Sequence, residues 1–471
     1  MESYGWLSVL PPLVAIYLAI RTKQVYVSLF LFIWLGWTII AGWNPLNGLI
    51  ASVDILVEAV TDPGNARTLI FAALIGAIIT FTQASGGMDG FVSWVGKSRL
   101  ARSRRSVGLV AAFVSMGVFL ESSFGLLVSG SVARPLFDRA KISREKLAYV
   151  IDATCAPKHL LIPINAWGAY IVGLLAAQDV AAPERLLVAS LPLNFYAITA
   201  IFLVFFVIIT GWHVGPMREA ERRVREDGLL LREGAEPMVS EELSKLPPKP
   251  GVPQRAVNML APIITMVVTV PFVLWLTGDG DLLSGNGSKA VLWGVIAGLF
   301  VGGILYRVQG IMDIRELSEY TIKGIQGLMP LVIVLALAFG IASTQRELGT
   351  GIFLAQAAEA AVNPGFIPAI VFVLACLMAF STGTSWGTFA IMIPIVVPMT
   401  EVLDVSAPLM LAAALGGGIF GDHCSPISDT TILASMAAAT DHIDHVRTQL
   451  PYALMAAGTS VVLFVIFGFM L

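Results

Sequence analysis

Charge is scarce in this sequence. Asp, Glu, Lys and Arg make up 13% of its 471 residues, where a soluble globule carries about a quarter. Cysteine is scarce too. Cys155, Cys376 and Cys424 all lie in apolar segments without metal-type spacing, so neither a disulfide framework nor a cysteine metal cluster is expected. Net charge is −3, and the only basic stretches are short loops, which leaves nothing for nucleic acid. The first residues show neither a basic start nor a small-residue cleavage site, so Leu7 to Ile20 reads as a span and not a signal peptide. Alternation in segments of about 10 residues, the mark of a membrane barrel, is missing as well.

What fills the chain is apolar. Hydrophobic residues are 56% of the total, mean hydropathy is +0.82, and apolar runs recur near the roughly 20 residues that a spanning helix needs. This is the pattern of an all-α polytopic membrane protein. Candidate spans are 6–20, 25–43, 66–84, 106–136, 147–177 and 186–212, then 256–276, 288–306, 324–344, 366–402, 407–440 and 449–471. A polar stretch, 213–255, separates the two sets as a cytoplasmic linker. The halves, 1–212 and 256–471, have similar length and the same order of long and short segments, with short amphipathic pieces at 86–96 and 350–363.

The halves also match in residues. TQASGGMDGF (82–91) aligns with TQRELGTGIF (344–353), and SSFG (122–125) with TSWG (384–387), at the same offset of 262. TCAP (154–157) pairs with HCSP (423–426) after a short insertion. Such internal repeats mark secondary transporters.

Lys and Arg in short loops set orientation. Arg21 and Lys23 place the first loop inside, and residues 25–65, without Lys or Arg, carry Asp54, Glu58 and Asp62 to the outside. Basic clusters flank 106–133 on both sides, at Lys97 to Arg105 and at Arg134 to Lys146. At about 1.5 Å per residue that segment cannot cross twice. It reads as a re-entrant hairpin, 106–136, with its tip at Glu121 to Gly125. The same count in the second half makes 366–402 a hairpin entering from the opposite face, with its tip at Ser381 to Gly387. Two broken helices, 147–177 and 407–440, complete the pair of inverted repeats.

Four interruptions then meet at membrane depth: the two tips, and breaks at 152–159 and 421–431. Irregular backbone survives there only when buried in protein or lining a watery cavity. Pro157 and Pro426 each remove an amide and free the carbonyl four residues earlier, a potential cation ligand. The half-helix after each break offers amides and a positive dipole end to an anion. Glu121, Asp152, Asp422 and Asp429 are the acids at these places; Asp429 or Ser428 can instead cap its half-helix, and Asp152 can pair with Lys146. Glu121, Ser123, Ser385 and Asp422 are the sodium candidates. Ser122, Thr154, Asn165, Thr384 and Ser425 add oxygens. His423 is either a proton carrier or a plain core histidine. Lys158 neutralises a neighbouring acid, binds a substrate carboxylate or stands in for a coupling cation. The run TDHIDHVRTQLPYA (440–453) reads as a solvated turn or helix-end network. Ser425, His423 and Asp422 do not form a hydrolase triad, since adjacent residues rarely reach that geometry and no G-x-S-x-G elbow is present. No enzyme is expected.

FSTGTSWGTFAIMIPIVVP (380–398), GGIFGDHCSPISDTTILAS (417–435) and DHIDHVRTQLPYA (441–453) resemble the motifs of NhaC-type sodium/proton antiporters, with RPLFDRAKISREKLAYVIDATCAP (134–157) as the first-repeat counterpart. The resemblance implies inverted repeats with paired hairpins, a transport unit moving against a scaffold in a homodimer, and Na+ and H+ as coupling ions with no other cofactor. It carries Asp422, Ser425, Ser428, Asp429, Thr384 and Ser385 over as site residues. Two positions depart from it: relatives show paired acids where this chain has Glu121-Ser-Ser, and Lys158 falls in a stretch expected to be uncharged. The function implied is Na+/H+ exchange across the cell membrane by alternating access. The alternative is Na+- or H+-coupled transport of a small organic anion or amino acid, held by Ser122, Ser123, Lys158 and half-helix amides.

Overall fold

The computed structural model describes residues 4–22, 25–96, 103–118, 122–237, 248–280, 285–350, 352–353, 356, 362–426 and 428–471. Apart from one isolated bridge, Pro237 to Asp441, these residues form helices, turns and loops. Six helices among them are long and apolar enough to cross a bilayer. In the first half the helices of every length are α1 (Leu10–Thr22), α2 (Val25–Ile40), α3 (Pro45–Thr61), α4 (Pro63–Ala84), α5 (Gly87–Gly96), α6 (Arg104–Gly117), α7 (Ser122–Arg139), α8 (Arg144–Leu161), α9 (Ala166–Ala176), α10 (Pro183–Ser190) and α11 (Phe195–Thr210). The second half holds α13 (Val257–Thr277), α14 (Gly287–Val308), α15 (Ile314–Leu348), α16 (Ile367–Thr382), α17 (Ser385–Leu403), α18 (Ala407–Cys424), α19 (Asp429–Ala438) and α20 (His442–Gly468).

The linker holds more than expected. It carries α12 (Gly215–Glu226), which starts past the left-handed Gly211 that ends α11 (φ +70°). Met217, Ala220 and Val224 bury one face of α12 against α8 and α20, and Arg222 and Arg225 stay outside. Glu221 is buried with them, paired with Arg104 and accepting from Ser143 N and Oγ, both at 2.9 Å.

Small residues let helix backbones touch, as in membrane bundles generally. At the α4–α15 crossing Gly76 lies on Gly324 so closely that a Cβ on either would collide with the other's backbone. Gly417 and Gly421 do the same for α18 against α16, where a Cβ at Gly421 would strike the backbone of Ala379 and Phe380. Outward faces of α11, α13 and α14 expose Phe202, Ile209, Phe272 and Phe300, the pattern of a surface covered by lipid.

Both sequence-predicted hairpins fall on paired helices. Arms α6 and α7 pack together, and so do α16 and α17 around left-handed Gly383. One break moves. Pro157 sits inside the continuous helix α8, and the chain opens at 162–165 instead. Pro163 has no amide to continue the helix and holds Ile162 away from helical geometry (φ −122°, ψ 80°). Asn165 then caps α9, accepting from Trp167 N at 2.8 Å and Gly168 N at 3.0 Å. The second break is where it was expected: α18 stops at Cys424, and Ser425 and Ser428 are extended around Pro426.

Candidate functional site

Asp422, in the last turn of α18, is 2% exposed. Its Oδ2 accepts from Ser385 Oγ at 3.1 Å, and its Oδ1 accepts from Ser428 Oγ at 2.9 Å. One donor starts the second arm of the second hairpin and the other lies in the break. Ser425 Oγ ties the break to the first arm by donating to the Phe380 carbonyl at 2.6 Å. The carbonyl that Pro426 leaves without its amide is that of Asp422, and Thr431 Oγ1 donates to it at 3.2 Å, so it is not an open ligand as expected. Ser428 is the N-cap of α19 but makes no cap bond; its hydroxyl serves Asp422, which corrects the capping alternative for Ser428. Thr384 is half-buried at the N-cap of α17, also without a cap bond.

Asp152 lies on α8, fully buried, and its Oδ2 accepts from Gln449 Nε2 at 3.0 Å. The same amide donates to the His423 carbonyl. Gln449 therefore joins the polar centres of both halves. Lys146 does not take Asp152; its ammonium lies 2.9 Å from His213 Nε2. Burial and that ammonium pull His213 down to about 4.

A chain of groups leads on from Gln449. His445 Nε2 is 2.9 Å from Gln449 Oε1 and 3.7 Å from Asp152 Oδ2. Ser435 Oγ lies 2.8 Å from His445 Nδ1, 3.0 Å from His442 Nδ1 and 2.9 Å from the Thr431 carbonyl. His442 Nε2 reaches the Pro426 carbonyl at 2.7 Å. The run 440–453 is therefore the helix-end network of the two expected alternatives, at the start of α20, and not the solvated turn: Asp441 caps the helix, and His445 and Gln449 are fully buried.

The hydrogens of this network can be counted, with tautomers assigned from the bonding pattern. Both Gln449 amide hydrogens are used, so its Oε1 faces His445 and calls for a hydrogen on His445 Nε2. The Pro426 carbonyl calls for one on His442 Nε2. With neutral rings both Nδ1 atoms are then acceptors, and the single hydroxyl hydrogen of Ser435 faces three acceptors, these two and the Thr431 carbonyl to which it donates. The arrangement has room for one more proton.

Other candidates have local duties. Thr154 Oγ1 donates back to the Val150 carbonyl at 2.6 Å. Asn165, besides capping α9, donates to the carbonyls of Ile162 and His159, so its polar atoms close the break. His423 Nδ1 is 3.1 Å from the Ile419 carbonyl, with the Tyr196 hydroxyl 3.2 Å from its Nε2. Lys158, fully buried, donates to the Ser115 carbonyl and lies 3.3 Å from Cys155 Sγ. Ser122 Oγ is buried without a hydrogen-bond partner among the described residues. Glu121 lies outside the described residues, as do the side chains of Ser123 and Asp429.

Sequence reasoning missed Gln449, His445, His442 and Ser435 as a unit. A usable signal was present: His442, His445 and Gln449 are spaced three and four apart, which puts them on one helix face. Among the described residues no three His, Cys, Asp or Glu side chains could hold a metal ion. A cavity of about 890 Å³ lies apart from these groups, lined by Asp62, Arg67, Asp179, Glu184 and Arg346 among others. Arg346 pairs with Asp179 there at 2.8 Å.

The Na+/H+ antiporter family profile matches residues 160–469, which spans the second hairpin, both halves of its broken helix and α20. The chain belongs to the Na+/H+ antiporter family. It is thus a multi-pass membrane protein and a secondary transporter. An uncharacterised protein of Haemophilus influenzae is 35% identical over 98% of this chain and 91% of its own length. The malate-2H+/Na+-lactate antiporter of Bacillus subtilis is 29% identical over 36% of this chain and 37% of its own. Among solved structures, the YdaH transporter of Alcanivorax borkumensis superposes with a TM-score of 0.58 at 17% identity, covering 89% of this chain and 88% of that one. That likeness concerns the fold alone.

Proposed function

We propose that the protein exchanges Na+ for H+, with Asp422 as the cation-binding carboxylate. One observation carries this reading: a buried carboxylate receives hydroxyl groups from a hairpin tip and from a helix break at once. When sodium enters, Ser385 and Ser428 need only turn their hydrogens away to present lone pairs, so the groups that hold the empty carboxylate become the ion's oxygen shell. Protonation of Asp422 discharges the site and releases the ion.

The network from His442 to Asp152 supports the proton half of the exchange. It has room for an extra proton, begins at a half-buried histidine and ends at a fully buried acid. Gln449 places that acid one residue away from the backbone of the cation site. In the proposed arrangement the two halves are inverted repeats, with the hairpins entering from opposite faces. Their tips and breaks move as a unit against a scaffold built around α4 and α15.

The test is flux in proteoliposomes loaded with a pH-sensitive dye. Sodium added outside, with no organic solute, should drive proton movement, and Asp422→Asn should abolish it while the protein elutes normally on size exclusion. Sodium-driven flux of wild-type size in Asp422→Asn would remove this reading.

A second reading, exchange of a small carboxylate, is favoured by one feature. Trp167 and Tyr170 on α9 meet Trp386 at the second hairpin tip, with ring centroids 5.1 and 4.8 Å apart, and the Tyr170 hydroxyl donates to the Trp386 carbonyl at 2.7 Å. Aromatic faces there suit an organic solute, and one relative is named for malate and lactate. Flux that appears only when such an acid is supplied would decide for it.

A further inference from the structure

The two hairpins end their first arms differently. In the second, the Phe380 carbonyl, in the last turn of α16, accepts from the Ser425 hydroxyl at 2.6 Å. In the first, the Ser115 carbonyl, in the last turn of α6, accepts from the Lys158 ammonium. Last-turn carbonyls have no amide partner within their helix and form the negative end of its dipole. Such a helix end is where transporters of this general build coordinate a cation. The first hairpin already has one there.

The ammonium is seated, not passing by. Lys158 is fully buried, 3.3 Å from Cys155 Sγ, and a Cβ built on Gly125 would lie 3.3 Å from its Nζ. It therefore sits across the hairpin between the end of α6 and the start of α7. Cys155 Sγ also reaches the Ser122 carbonyl at 3.4 Å, which places Ser122 in the same elbow, and the Ser122 hydroxyl lacks a partner among the described residues. A buried lysine is costly, and its bond to the Ser115 carbonyl offsets part of that cost.

We propose that Lys158 is a tethered cation: its ammonium permanently fills the first hairpin's cation position, so a free ion enters only at Asp422. This rests on reading Asp422 as a cation site. It accounts for a charge that departs from the motif the rest of the chain keeps, and it fixes the number of ions per cycle by sequence instead of by affinity.

The experiment is equilibrium binding of sodium-22 to purified wild type and Lys158→Ser. Removing the ammonium leaves the Ser115 carbonyl and supplies a hydroxyl, so the variant should bind one more sodium ion per chain than the wild type. Lys158→Arg, which keeps a cation in place, should match the wild-type count. No gain in a folded Lys158→Ser overturns the proposal. The wild-type count tests the Asp422 reading separately: no sodium there removes that reading, and the difference between variant and wild type still decides this one. Should Lys158→Ser fail to fold, sodium or methylammonium added during purification should restore it, because a free cation then replaces the lost one; failure of both to do so equally overturns the proposal.

Discussion

At the scale of single residues, the proposed cation site is a carboxylate with two hydroxyl partners. Each bond to the charged Asp422 is worth about 1.5–3 kcal/mol, so Ser385→Ala and Ser428→Ala should each weaken sodium binding roughly tenfold to a hundredfold. Sodium-dependent shifts in Tm would measure that, and unchanged affinity in both variants would show that neither hydroxyl ligates. His442→Gln keeps a hydrogen bond to the Pro426 carbonyl but cannot carry an extra proton. Proton flux should fall severalfold while sodium affinity holds; a wild-type flux would exclude His442 from the path. Asp422 was legible in the sequence because a carboxylate in an apolar run is costly and so conspicuous. Gln449 was not. An uncharged amide at the start of a helix carries no such signal, and its importance comes from what faces it across some 300 residues of chain. Ser428 misled for a related reason: a serine before a half-helix looks like a cap, and only the fold shows a stronger acceptor within reach.

At the scale of elements, proline placement alone did not locate the first break. Pro157 and Pro426 sit in matched motifs, yet α8 runs straight through the first, and the helix yields five residues later. There Pro163 coincides with Asn165, whose side chain satisfies the freed amides of α9. A break needs both a lost donor and a new partner for what is exposed. The paired arms of the two expected hairpins were easier to read, since each segment is apolar on both sides of a polar interruption and its two arms pack together. Gly421 is, with Gly417, one of the two glycine contacts that bring α16 and α18 together. Gly421→Ala should push Phe380 away from Ser425, lower stability by about 1–3 kcal/mol, and impair sodium binding; a variant with wild-type Tm would mean that the helices part without penalty. The linker helix α12 gives a pH effect. His213 faces Lys146 from α8, Arg104 from α6, and Glu221 and Arg225 from α12 itself. Its folded value of about 4 lies below the ordinary value near 6.5, so the unfolded form binds more protons between the two. The docked state is therefore fully stable above about pH 6.5 and loses stability as pH falls toward 4. Hydrogen exchange of α12 amides, corrected for intrinsic rates, should quicken between pH 7 and pH 4.5, and protection that stays level would contradict it.

At the scale of the whole molecule, the halves interlock rather than sit side by side. Gly130 on α7 packs directly on Ala437 of α19, so the first hairpin lies against the second half's half-helix, and α8 touches both. Composition and span count indicated a helical membrane protein, and repeated motifs indicated two related halves. Nothing local could announce that the hairpin of one half would rest on the broken helix of the other, because that contact is made by a glycine and an alanine with no chemistry of their own. Replacing Gly324 by Ala should separate α4 from α15 and lower Tm, with sodium affinity retained, since neither hydroxyl that serves the Asp422 carboxylate comes from these helices. Lost affinity together with lost stability would show that this crossing and the proposed ion site are not independent.

The Gln449 amide gives this design an asymmetry of timing. It is neutral, so neither ion nor proton repels it, and it holds the acid of one half and the peptide backbone of the other together. In the proposed exchange this strap carries no charge of its own, so the cargo would change while the harness would not.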